Sequence, residues 1–248
     1  MPNTHSIDFE LSSSQSLTIT DAAQTGLDIT TDFSMEAWVN LEQLPSTAGA
    51  AFDIMSKLDA GATGAGGYIF AITTSDKLQI YWEGTENSGH SRMDMDEAFD
   101  SGDLGNWIHV AVTVDVSVPS AEFYKNGVAK SDTVGSSTRT NIIGNANDFF
   151  VSRKYNADSE HFDGLIDELR IWNDIRTGTE ILDNYQKELV GDEAGLVAYW
   201  KLNNNSLDET SNDNDLTQTN SPVFSTSVPF SGAAAATTTS VMLMGLGS

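Results

Sequence analysis

Short blocks of alternating apolar and polar residues recur along this chain and narrow its possible folds more than any other feature. They read SLTIT at 16–20, FSMEAWV at 33–39, YIFAIT at 68–73 and KLQIYWE at 77–83, followed by NWIHVAVTVD, AEFYKNG, NDFFVSR, FDGLIDELRIW and GLVAYWKLN. A period of two sends successive side chains to opposite faces of an extended backbone, so each block reads as a strand. Clusters such as DAGATGAGG and TSNDNDL separate the blocks; glycine and short polar side chains there tolerate the positive φ of turns. Many strands at turn spacing predict an all-β antiparallel sandwich or jelly roll, not a parallel α/β sheet. One short helix is predicted in TGTEILDNYQKEL, with Thr179 as its cap and Ile181, Leu182 and Tyr185 at helical spacing. It is placed across one end of the sandwich.

The 248 residues suffice for one large domain, assigned to residues 1–230. Residues 231–248, SGAAAATTTSVMLMGLGS, form an Ala/Thr linker and an uncharged apolar cluster. They read as a tail that docks in a groove or adds a strand to a partner. Twelve Lys and Arg stand against 36 Asp and Glu, a formal charge of -24, which repels a nucleic acid partner. With no cysteine there is no disulfide, thiol chemistry or thiolate metal site. No run is long and apolar enough to span a bilayer. The start, MPNTHSIDFE, lacks a basic segment followed by an apolar stretch, so no secretory signal is expected as written.

All five tryptophans fall within predicted strands and read first as core. Trp82 also precedes the polar stretch EGTENSGHSR, so Trp82, Glu83, His90 and Arg92 are the candidate ligand contacts, an aromatic face beside hydrogen-bonding side chains. The histidines His5, His90, His109 and His161 show no zinc-site pairing.

DFSMEAWVNLEQL, GYIFAI, GNWIHVAVTVD, AEFYKNGVA and FDGLIDELRIWNDIRTGTEI, in that order, resemble the laminin-G-like branch of the concanavalin A-like lectin and glucanase superfamily over nearly all of residues 5–229. The resemblance implies a concanavalin A-like jelly roll of two antiparallel sheets. Lectins, adhesion modules, glycosidases and structural spacers all share that fold, so function must come from sites.

Asp167 interrupts the apolar run GLIDELRIW. Simple alternation puts it on one face with Leu165, Leu169 and Ile171, and puts Glu168 and Arg170 on the other. A carboxylate facing an apolar layer needs a hydrogen-bond cluster, a base or a cation. The stretch LDETSNDNDL, 207–216, offers oxygen donors, so Asp167, Asp208, Asn212, Asp213 and Asp215 are the candidate ligands of a structural Ca2+ ion. Related domains carry a similar Asp-x-x-Gly-Asn-Gly turn that is often a calcium site; Ser211 and Asp213 stand here where its glycines are expected. The alternative is an Asx-rich loop whose side chains satisfy their own backbone.

Glucanase relatives carry their acids alternating on one strand, and no E-x-D-x-x-E run occurs here. Asp94 and Asp96 in MDMDEAF alternate without the third acid, and no nucleophile motif is found. The expected role is therefore noncatalytic: a surface structural or adhesion protein, such as a virion decoration, fibre or appendage subunit. A glycan-binding lectin module is the alternative, and a glycoside hydrolase the weakest reading. Expected partners are cell-surface glycans or neighbouring subunits, joined into an oligomer or particle through the tail, at an extracellular or virion surface.

Overall fold

Residues 3–59, 66–84, 89–155 and 157–230 are described in a computed structural model of the chain. The predicted tail, 231–248, lies outside the described residues. The strands are β1 (Ser6–Phe9), β2 (Ser16–Ile19), β3 (Phe33–Leu41), β4 (Phe52–Asp59), β5 (Gly66–Ile72), β6 (Lys77–Glu83), β7 (His90–Ala98) and β8 (Ile108–Asp115). They continue as β9 (Ser120–Lys125), β10 (Val128–Lys130), β11 (Asp132–Ser137), β12 (Phe149–Val151), β13 (Gly164–Trp172), β14 (Leu196–Trp200), β15 (Thr217–Thr219) and β16 (Val223–Ser225). All pairs are antiparallel. The first sheet runs β10-β9-β8-β3-β13-β1-β16, with β14 also on β13, and the second runs β11-β7-β6-β5-β4-β12-β2-β15. The chain crosses repeatedly between them, as a jelly roll requires.

The inner faces meet in one core. Met35, Ala37 and Val39 of β3 and Val110, Val112 and Val114 of β8 face Phe70 of β5, Leu78, Ile80 and Trp82 of β6, and Met93 of β7. β-branched and aromatic side chains suit such pleated, buried surfaces.

Two α-helices form among the described residues, where one was predicted: α1 (Pro45–Ala48) and α2 (Gly178–Asn184). The cap of α2 is Thr177, two residues before the predicted Thr179. Its hydroxyl accepts from Glu180 N while the Glu180 side chain accepts from Thr177 N, a closed capping box. Nor does α2 lie across an end of the sandwich. Ile181 packs on Ala111 of β8 and Tyr124 of β9, so the helix covers the outer face of the first sheet.

The chain leaving α2 covers the neighbouring strands, and β3 and β13 are buried on both faces. The sheet holds the segment after α2 through its side chains. Trp38 Nε1 donates to the Tyr185 carbonyl at 2.8 Å, and Arg170 donates to the carbonyls of Asn184 (3.2 Å) and Lys187 (2.5 Å). A guanidinium on the last carbonyl of a helix both satisfies it and complements the negative end of the helix dipole.

The expected facing of Asp167 is corrected by a β-bulge. Asp167 pairs with Trp38 and Arg170 with Glu36, so Glu168 and Leu169 together stand opposite Ala37, with Glu168 at φ 52°. Alternation slips by one residue there. Ile166, Leu169 and Ile171 join the core, whereas Asp167 turns to the covered outer face. The bulge falls where β13 changes neighbour, from β1 along 164–166 to β14 along 169–172.

Candidate functional site

The outer face of the second sheet is built by strict alternation in β6. Leu78, Ile80 and Trp82 point inward, and Gln79, Tyr81 and Glu83 point outward, half-buried. Trp82 is 0% exposed, so its ring is core and presents no face to a ligand. This corrects its place among the candidate contacts. The aromatic residue beside Glu83, His90 and Arg92 is Tyr81, which KLQIYWE already placed on the Gln79/Glu83 face.

Register gathers the remaining side chains. Tyr81 pairs with Arg92, Glu83 with His90 and Gln79 with Asp94. The Tyr81 and His90 rings stack with centroids 4.7 Å apart and planes at 23°. Tyr81 Oη donates to the Glu83 carboxylate. Gln79 Nε2 donates to Asp94 at 2.5 Å, and Arg92 lies 3.6 Å from the same carboxylate. Burial first, then Glu83 and Tyr155, push the Tyr81 phenol up, so it remains a neutral donor at physiological pH. Across the sheet the row continues through Ile69, Ser56 and Phe150 to Thr18 and Thr217. Arg153 stacks over Phe150 at 4.5 Å. At the far end Thr18, Thr20, Ala23, Asp213, Asp215 and Thr217 line a recess of about 390 Å³.

Asp94 and Asp96 are engaged locally, Asp94 as above and Asp96 by the Thr133 hydroxyl at 2.6 Å. Their strand, β7, is flanked by β6 and β11 and is not an edge.

The five residues expected to hold calcium are not gathered at one point. Asp167 is 0% exposed and accepts from Asn3 Nδ2 (2.8 Å) and Glu168 N (3.0 Å). Burial, then the charges of Glu168 and Glu188, push its carboxyl well above the usual range. Asp208 instead organises its own loop. One oxygen accepts from Tyr199 N and Thr210 N, the other from the Thr210 hydroxyl and Asn214 N. Asn212 Nδ2 donates to the Val197 carbonyl, and Asp215 accepts from Asp208 N. These bonds satisfy backbone and side-chain groups of the loop itself, as in an Asx-rich turn.

Among the described residues, the three acids whose ligand atoms lie within 4.8 Å of one another are Glu10, Glu42 and Asp163. Asp163 is partnered by Leu11 N at 2.9 Å and by Gln43 Nε2. Burial, then neighbouring carboxylates, raise the pKa of Glu42 and of nearby Asp8.

The profile described as concanavalin A-like lectin/glucanases superfamily matches residues 11–182. No curated protein sequence matches the chain. A candidate carbohydrate binding protein from Bacteroides ovatus is similar in structure, with a TM-score of 0.63 and 17% identity over 91% of this chain. The chain spans 60% of that protein's length. A native heptameric SAP-like pentraxin from Limulus polyphemus gives a TM-score of 0.57 at 11% identity, over 92% of this chain and 97% of its own. At these identities the likeness is one of fold.

Proposed function

The chain belongs to the concanavalin A-like lectin/glucanase superfamily, and we propose that it is a noncatalytic carbohydrate-recognition protein binding glycan on the outer face of its second sheet. One observation carries this reading: Tyr81 lies half-buried between Arg92 and Ile69, stacked on His90 and flanked by Gln79, Glu83 and Asp94. Aromatic surface beside fixed donors and acceptors suits a saccharide, whose apolar C–H face and hydroxyls need both. The recess at Thr18 and Thr217 lies on the same row and would extend the contact to further sugar units. With a charge of -24, neutral glycans are favoured over sulfated or uronate-rich ones.

The noncatalytic reading rests on the carboxylates. Asp94 and Asp96 are tied to neighbours, while Asp167 and Glu168 lie at most 1% exposed, out of reach of any substrate. We further propose residues 1–230 as the recognition domain and 231–248 as a separate tail. A role in a surface or virion assembly depends on that tail.

A glycan array on the wild type and Tyr81→Ala tests the main reading. Binding to neutral oligosaccharides that falls at least about tenfold in the variant is expected, one stacking contact and its hydrogen bonds being lost. No binding by the wild type, or equal binding by a folded variant, would remove the proposal.

A further inference from the structure

Lys57 sits on β4 with 1% exposure, paired with Tyr68 of β5, which pairs in turn with Trp82 of β6. An ammonium taken that far from water must be surrounded by oxygen. Its Nζ donates to Asp21 Oδ1 at 2.8 Å, the Asn147 carbonyl at 2.6 Å and the Asn145 carbonyl at 3.0 Å. Asp28 Oδ1 lies 3.2 Å away. An ammonium has three N–H donors, so three oxygens are hydrogen-bonded and Asp28 contributes through charge.

The oxygens come from segments remote in sequence, the β2–β3 loop and the stretch before β12, and both are braced. Asp28 accepts from Asn145 N (3.2 Å) and Gln24 Nε2 (2.9 Å), and Asp148 accepts from Asp21 N (3.0 Å). Asn145 Nδ2 donates to the Gly66 carbonyl at 2.9 Å, and Asn147 Nδ2 to the Leu58 carbonyl at 2.7 Å. The neighbouring backbone approaches so closely that a Cβ on Gly67, at φ +100°, would stand 1.9 Å from the Lys57 carbonyl oxygen. The shell is thus braced by main chain and side chains together.

Two carboxylates and two main-chain carbonyls form a donor set for a hard cation. We infer that this is a cation site whose resident cation is Lys57 itself. The tethered ammonium ties the β2–β3 loop and the 145–148 segment to the second sheet as a divalent ion would. Removing it opens a site for calcium. Calcium is preferred to magnesium because the shell, at 2.6–3.2 Å from the ammonium, contracts modestly to reach calcium distances of about 2.3–2.6 Å. Magnesium, at about 2.0–2.1 Å with strict octahedral geometry, demands far more movement.

The test is thermal unfolding of the full chain and of Lys57→Ala, each in chelator and in millimolar calcium, with calcium titration calorimetry on both. The wild type is expected to show only the small shift of a screened acidic surface. The variant should melt lower in chelator and rise by at least about 5 °C more than the wild type in calcium, taking up one additional ion. Adding Asp28→Asn to the variant should abolish that gain. If Lys57→Ala folds only when refolded with calcium, the inference stands. It is overturned if the variant fails to fold in either condition, if its calcium shift equals that of the wild type, or if the gain survives Asp28→Asn.

Discussion

Glu168 illustrates how a single buried side chain is held between β13 and β14. It accepts from Arg170 at 2.9 Å and from the Tyr199 hydroxyl at 2.6 Å. Arg170 also lies 3.7 Å from Glu36, which accepts from Trp172 Nε1 at 2.7 Å and faces His109 at 3.2 Å. Burial alone would raise Glu36, but His109, Arg170 and Trp172 outweigh it and lower its pKa; burial lowers His109 against the pull of Glu36. Glu168 goes the other way. Burial outweighs Arg170 and Tyr199, and its pKa is pushed up to about 7 from 4.5. Its contribution to stability is therefore full below about pH 4.5 and lost as pH rises through about 7. Glu168→Gln removes that titration and keeps an acceptor for both partners. Melting both proteins at about pH 5 and about pH 8 should show the variant gaining on the wild type at the higher pH; a pH-independent difference would refute the assignment. At this scale legibility was mixed. That Asp167 needs company was readable from an acid in an apolar run, but its partner Asn3 lies 164 residues away and left no local signal.

Among the elements, α2 shows a local code read nearly correctly. Its apolar spacing lies in the sequence, and so does its capping box, a local pattern of Thr177 and Glu180 two residues ahead of the predicted cap Thr179. Thr177→Ala should cost about 1 kcal/mol by removing an N-cap acceptor, measured by urea unfolding, with secondary structure otherwise intact. β6 is the legible extreme, since its unbroken alternation carries the face assignment, yet the predicted ligand contact is Trp82 where Tyr81 is the outward aromatic. β13 is the opposite case. Its bulge exists because two different strands share one edge, and nothing within FDGLIDELRIW announces that exchange. β4 also escaped notice, because Asp53 and Lys57 break its apolar pattern and their burial is compensated only by distant chain segments, as the shell around Lys57 shows.

For the whole molecule, the pairing of the terminal strands bears on the proposed domain boundary. β16 pairs with β1, and Ser6 Oγ donates to the Ser227 carbonyl at 2.7 Å, so the first and last strands of the described residues are joined before residue 231. Deleting residues 231–248 is accordingly expected to leave the melting temperature unchanged by calorimetry, and to alter only association measured by light scattering. A large loss of stability would mean that the tail belongs to the fold. The all-β class and two-layer architecture were available from periodicity, because the two-residue alternation of a strand is a local property written directly in the residues; the superfamily came from the resemblance of the ordered blocks. Strand order, the bulge at Glu168, the packing of α2 on β8 and β9 and the oxygen partners of buried Lys57 were settled only on folding. Each depends on which distant segments become neighbours, and a buried polar group acquires its partner, its pKa and its role from that neighbourhood.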